Sequence, residues 1–200
     1  YEDSTENYIR PNFSYWINQR NNIALDYGFT KGAYERDGAI SATPDFTLHT
    51  PHGRYTYRFD AQMSVFVDYV YSYQDSDDPG IDYNVNNPSV GIVYAFNPTL
   101  IGTAQIGYFW MNPDRGDDFD GLTSNLSITQ REKQITYTLT FSSGYEQNQF
   151  SFDNLGFNKY YGGSAIISHA ITQRFNVGFV GSALYRDYAF VDRNDWVYTA

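Results

Sequence analysis

Three histidines, 23 acidic residues and no cysteine among 200 residues restrict the chemistry open to this chain. Without cysteine there is no thiol nucleophile, no Cys-ligated metal site and no disulfide framework. His49 and His52 flank Pro51, and an imidazole beside a carboxylate or a serine can serve as a general base in hydrolysis. No spacing marks out such a set, and polar residues toward the end of a strand are the plainer reading. His169 stands apart, close to a turn. The acids gather in two groups, Asp75, Asp77, Asp78 and Asp82, then Asp114, Asp117, Asp118 and Asp120. Clustered carboxylates can hold Ca²⁺ or Mg²⁺ and bridge to anionic lipopolysaccharide, which makes Asp75, Asp77, Asp78, Asp117 and Asp118 candidate loop ligands. The stretch Asp75-Ser76-Asp77-Asp78-Pro79-Gly80 departs from calcium-loop spacing. Solvated loop acid therefore explains both groups, and no metal or other cofactor is assigned. A formal net charge of −10 argues against a nucleic-acid partner, which needs a basic stripe.

The elements that carry these residues read as strands. Aromatics make up 19% of the chain, with 20 Tyr and 15 Phe, a composition suited to pleated structure and too rich for an acidic disordered chain. Apolar residues alternate with polar ones: Ile9, Phe13, Tyr15 and Ile17 against Arg10, Asn12 and Ser14, then Ile23, Leu25 and Tyr27 against Ala24, Asp26 and Gly28. The same two faces recur through Met63 to Tyr73, Val90 to Trp110, Leu122 to Phe141 and Tyr161 to Tyr185. About ten complete strands and one begun near Asp195 follow from this pattern. Short turns near Arg20, Asp60, Asn97, Arg131 and Gln173 take turns with longer polar loops, in which most of the acid lies. A weak repeat relates Pro51 and Tyr57-Arg58-Phe59 to Pro88 and Tyr94-Ala95-Phe96, 37 positions on; each unit is one hairpin.

Long loops sorted to one end are the mark of an up-and-down transmembrane barrel, whereas Greek-key sandwiches have no reason to sort them. The mean hydropathy of −0.52 does not oppose this, because lipid-facing and lumen-facing residues average out along each strand. Met63 and Tyr73, Leu100 and Trp110, Ile135 and Tyr145, and Phe175 and Tyr185 are pairs ten residues apart on one face. At about 3.3 Å per residue and a tilt near 40°, such a pair spans roughly 25 Å, the height of an outer-membrane apolar band. Phe59, Tyr73, Phe96, Trp110, Tyr145, Tyr161, Phe175 and Tyr185 are accordingly expected at the membrane interfaces. The opposite face carries Arg10, Asn12, Asp26, Arg54, Arg58, Asp68, Gln105, Asn125, Thr138, Asn176 and Arg186. These groups cannot form a dry core without partners and are expected to line a hydrated lumen. Pro11, Pro51 and Pro88 strain the assignment, since a proline removes a ladder hydrogen bond. Pro51 and Pro88 are expected near outer strand ends, with a bulge or water compensating.

The segments Arg10-Pro11-Asn12-Phe13-Ser14-Tyr15, Arg20-Asn21-Asn22, His49-Thr50-Pro51 and Ile171-Thr172-Gln173-Arg174-Phe175-Asn176-Val177-Gly178, with Tyr185-Arg186-Asp187-Tyr188 and Asp192-Arg193-Asn194-Asp195, resemble the Gram-negative outer-membrane β-barrel porins encoded with exopolysaccharide biosynthesis and export clusters. The resemblance spans nearly the whole chain and is one of hairpin style. It implies an outer-membrane barrel, an exit for polysaccharide, and no defining site residues.

The expected fold is thus all-β, an antiparallel up-and-down transmembrane β-barrel occupying residues 1–200 as a single domain. Because single-chain bacterial barrels close on an even strand number, the expected parent has 12 or more strands. The expected function is an outer-membrane, porin-like channel for polysaccharide or small polar solutes, embedded in lipid and lipopolysaccharide. A structural or adhesive barrel with a plugged lumen is the main alternative and an outer-membrane hydrolase a third. A soluble carbohydrate-binding β-domain would instead stay monodisperse without detergent.

Overall fold

The computed structural model of the chain describes residues 3–35, 45–77, 82–114, 118–148, 156–172, 174–188 and 193–200. Twelve strands form one antiparallel sheet: β1 (Asp3–Ile9), β2 (Asn12–Trp16), β3 (Asn21–Glu35), β4 (Phe46–Arg58), β5 (Met63–Ser76), β6 (Tyr83–Asn97), β7 (Leu100–Pro113), β8 (Phe119–Glu132), β9 (Ile135–Asn148), β10 (Gly156–Thr172), β11 (Phe175–Tyr188) and β12 (Asn194–Thr199). No helix occurs among the described residues. From β3 onward each strand pairs with the next in sequence, the up-and-down order that the alternation predicts.

β1 and β2 lie on one line. Ile9 faces Phe29 and Asn12 faces Asp26, so the register on β3 continues without slip across Arg10 and Pro11. The Pro11 carbonyl accepts from the Tyr27 amide at 3.1 Å, and the return bond is missing because proline has no N–H. The loss is that one bond, since the flanking pairs Ile9–Phe29 and Asn12–Asp26 keep their register. Pro51 and Pro88 act in a similar way. Pro51 pairs with Tyr27 but leaves a gap in the β4–β5 ladder, and Pro88 pairs with Tyr69 but leaves one in β6–β7, each without a change of register. No bulge, one of the two compensations expected from sequence, occurs at either proline. The register shifts occur instead near short turns, between Ala95 and Asn97 and between Ala170 and Thr172.

The short connections are residues 17–20, 59–62, 98–99, 133–134 and 173–174. Three are closed by one side chain accepting two backbone amides: Asn18 from Arg20 and Asn21, Asp60 from Gln62 and Met63, and Asn97 from Thr99 and Leu100. This is the reason for Asn and Asp at these places. The opposite ends of the strands are joined through residues 36–45, 77–82, 114–118, 149–155 and 189–193, so long and short connections are sorted to the two ends of the sheet. The 37-residue repeat has a structural counterpart too. Tyr57 and Phe59 meet edge to face at 4.8 Å, and Tyr94 and Phe96 do so at 4.9 Å, each pair just before a short turn.

One face of the sheet is apolar and open. Leu25, Val67, Val90, Ile106, Leu126, Leu139 and Phe179, from seven different strands, are 50% to 72% exposed. The other face is concave. Tyr83 of β6 and Phe157 of β10 stand four strand intervals apart, about 19 Å along a flat sheet, yet their rings are 6.0 Å apart. Only a strongly rolled sheet allows this. Inside the curl, three phenylalanines lie over glycines of the adjacent strand: Phe46 on Gly32, Phe66 on Gly91 and Phe109 on Gly121. A Cβ on Gly91 would come within 2.2 Å of the Phe66 ring, so the missing side chain makes the space.

The interior is not uniformly wet. Tyr83, Val85, Phe109, Met111 and Phe157 form a dry cluster, with Phe119 and Tyr145 packed against it, at the long-connection end of β6–β10. This corrects the expectation for Tyr145 as an interface aromatic. Its ring stacks on Phe157 at 5.2 Å and approaches Phe109 at 4.8 Å, while Ser72 and Asn87 hydrogen-bond its hydroxyl. The outward alternation of β9 stops at Phe141, since Ser143 and Gly144 are both buried. Interior stacking and two polar partners replace the exposed position.

Candidate functional site

The inward face of β3–β5 brings charged residues to one level. Arg10 contacts Asp26 with Nη2 at 2.7 Å. The other carboxylate oxygen of Asp26 lies 2.5 Å from His52 Nδ1, and His52 Nε2 lies 3.3 Å from Asp68. Arg54 donates from Nε and Nη2 to the two oxygens of Asp68, a forked pair, and also lies 4.3 Å over the Phe66 ring. Gln105 Nε2 extends the belt from Asp68 at 3.2 Å to the Ser89 hydroxyl at 2.7 Å. Period 2 explains why these residues share a face: Asp26, His52, Arg54, Asp68 and Gln105 alternate with the exposed apolar positions of their strands.

The belt engages both ring nitrogens of His52 with carboxylates. Neither is turned to a side-chain hydroxyl, so His52 does not form a serine–histidine pair here. His49 is on the other face, against Tyr27 and Phe29.

The remaining polar candidates are spread along the curl. Asn12 faces Asp26 on the edge line. Arg58 stacks over Trp16 at 4.7 Å near the short turns. Thr138 shares a 3.3 Å hydroxyl contact with Thr129, and Arg186 donates to Glu146 at 2.9 Å across β10. Asn176 is exposed on β11, and Asn125 borders a cavity described below. Of the aromatic candidates, Phe59, Tyr73, Phe96, Trp110, Tyr161 and Phe175 are exposed. Tyr185 is half-buried between Tyr161 and Trp196.

Of the candidate cation ligands, Asp78 and Asp117 lie outside the described residues. Among the described residues no group of three or more His, Asp or Glu side chains converges on a metal position. Asp82 instead accepts the Ser76 amide at 2.7 Å, which ties the two ends of one long connection together.

A cavity of about 400 Å³ opens on the concave face of β4–β10, bordered by Thr50, Ser72, Asn87, Gln105, Asn125 and Tyr160 among others. No sequence pattern marks it, because its walls come from strands far apart in sequence. The dry cluster lies beside it, joined through Tyr145.

No family model and no curated protein matches this chain. Solved structures similar to it include the KdgM porin in complex with disordered oligogalacturonate, at 9% identity over 93% of this chain and 92% of that one with a TM-score of 0.39. Another is the KdgM porin alone, at 10% identity over 97% and 95% with a TM-score of 0.38.

Proposed function

We propose that the chain is an outer-membrane β-barrel of the porin type, a conduit for oligosaccharides or small polar solutes. The observation that carries this reading is the inversion of its two faces. A soluble protein buries apolar residues and exposes charge; here the exposed face is apolar on strand after strand, while charge is gathered on the concave side. Lipid outside and water inside satisfy both faces. The strands β3 to β9, at 13 to 15 residues, exceed the 9–11 or so that cross a bilayer. Sorting of the connections to two ends supports the same orientation, with the long ones outside and lipopolysaccharide as their neighbour. The eleven strand lines alternate in direction, so β1–β2 and β12 run the same way. Exopolysaccharide is one cargo that such a lumen would pass.

Planar-bilayer recording tests the proposal. Refolded protein, its fold checked by a heat-modifiable shift on a gel, is expected to give stable conductance steps. Folded, inserted protein that gives none would overturn the channel and favour a plugged, structural barrel, for which the dry cluster inside β6–β10 would be the reason.

A further inference from the structure

We propose that the cavity on the concave face of β4–β10 is a binding chamber for an uncharged, hydroxyl-rich sugar unit; the inference rests on the channel reading and names its solute class. The chamber holds about 400 Å³, within the range of small-molecule sites. Its border carries amides and hydroxyls, Asn87, Gln105, Asn125, Thr123, Ser143 and Tyr160, and no charged side chain. Charge in the lumen is segregated elsewhere and already matched: Arg54 to Asp68, Arg10 to Asp26, Arg186 to Glu146. Lys159, the nearest cation on β10 to the dry cluster, lies 4.1 Å over the Phe119 ring.

A sugar ring presents hydroxyls at its edge and apolar C–H groups on its faces. The chamber offers the complement of both. Carboxamides can donate and accept at once, as a hydroxyl requires, and Tyr145 joins the chamber to an aromatic wall. The Asn125 side chain has no hydrogen-bond partner among the described residues, with Gln105 and Ser142 opposite it on the flanking strands. An unmatched carboxamide beside an open cavity is ready to exchange water for a solute hydroxyl. A carboxylate-bearing sugar would lose hydration there and meet no cation on the cavity border, an unfavourable exchange.

Block of single-channel current by maltotriose, compared with a uronic-acid trisaccharide, tests this. Maltotriose is expected to block in a concentration-dependent way and the acidic sugar to block more weakly. Asn125→Ala is expected to weaken the maltotriose block about five-fold relative to that variant's own open current, the effect of one neutral hydrogen bond. Asn125→Leu serves the same purpose if the alanine variant does not refold. Conductance without maltotriose block, stronger block by the acidic sugar, or block unaffected by Asn125 substitution would overturn the inference and leave the channel standing. If folded protein does not conduct, equilibrium dialysis of labelled maltotriose against the protein in detergent decides: saturable binding lost in the Asn125 variant upholds the chamber without the channel, and no binding removes both.

Discussion

Arg54 on β4 and Asp68 on β5 face each other directly in register and are joined by two hydrogen bonds of 2.6 Å each. Their exposures differ: the carboxylate is 4% exposed and the guanidinium 39%. The positive member therefore shows to the concave side of the sheet while the negative member is hidden behind it. Asp68→Asn is expected to leave the Arg54 charge uncompensated and shift ion preference toward anions, with Arg54→Gln shifting it toward cations. The reversal potential in a KCl gradient reads both. The accompanying loss of stability is expected to be only about 1–2 kcal/mol, because the exposed guanidinium is screened by solvent.

Gly91 makes room for the Phe66 ring, which a Cβ would approach to 2.2 Å. Gly91→Ala is expected to destabilise the fold by about 1–3 kcal/mol through overpacking. Adding Phe66→Leu should recover part of that loss. Urea unfolding in detergent micelles measures both effects, and equal losses in single and double variants would contradict the stacking.

Phe109 is completely buried in the dry cluster between the chamber and the long connections. Phe109→Ala is expected to cost about 3–5 kcal/mol and to open space on the concave side at that end. Larger single-channel current in the refolded variant is the expected readout.

Thr138 and Leu139 are neighbours on β9 with opposite surroundings: Thr138 meets Thr129 inside, and Leu139 is 60% exposed outside. Leu139→Arg is expected to disfavour insertion into vesicles by about 2–4 kcal/mol, as for a cation at mid-bilayer. Thr138→Arg should insert nearly as the parent does and alter current instead. Equal insertion by the two variants would count against the lipid-facing assignment of the outer surface.

The order of strands, their two faces and the sorting of connections were all legible along the chain. Each is a local consequence of the pleat: alternate residues point to opposite sides, so Leu25 and Asp26, or Leu139 and Thr138, declare their faces by type. Turn residues such as Asn18, Asp60 and Asn97 are local as well, since each binds amides two and three residues away.

What the alternation leaves open is who meets across the curl. Gln105 reaches Asp68 two strands away, Tyr83 reaches Phe157 four strands away, and Tyr145 turns to the aromatic cluster although parity assigns it outward. Those contacts depend on the curvature of the whole sheet, which sums small twists over many strands and over glycines such as Gly91 and Gly121. Thus the sequence alone determined a two-faced antiparallel meander with acid at one end. Tertiary structure decided that its concave side carries a charged belt and, apart from it, a cavity with uncharged walls beside an aromatic cluster, because only rolling the sheet brings distant strands within hydrogen-bonding and van der Waals reach.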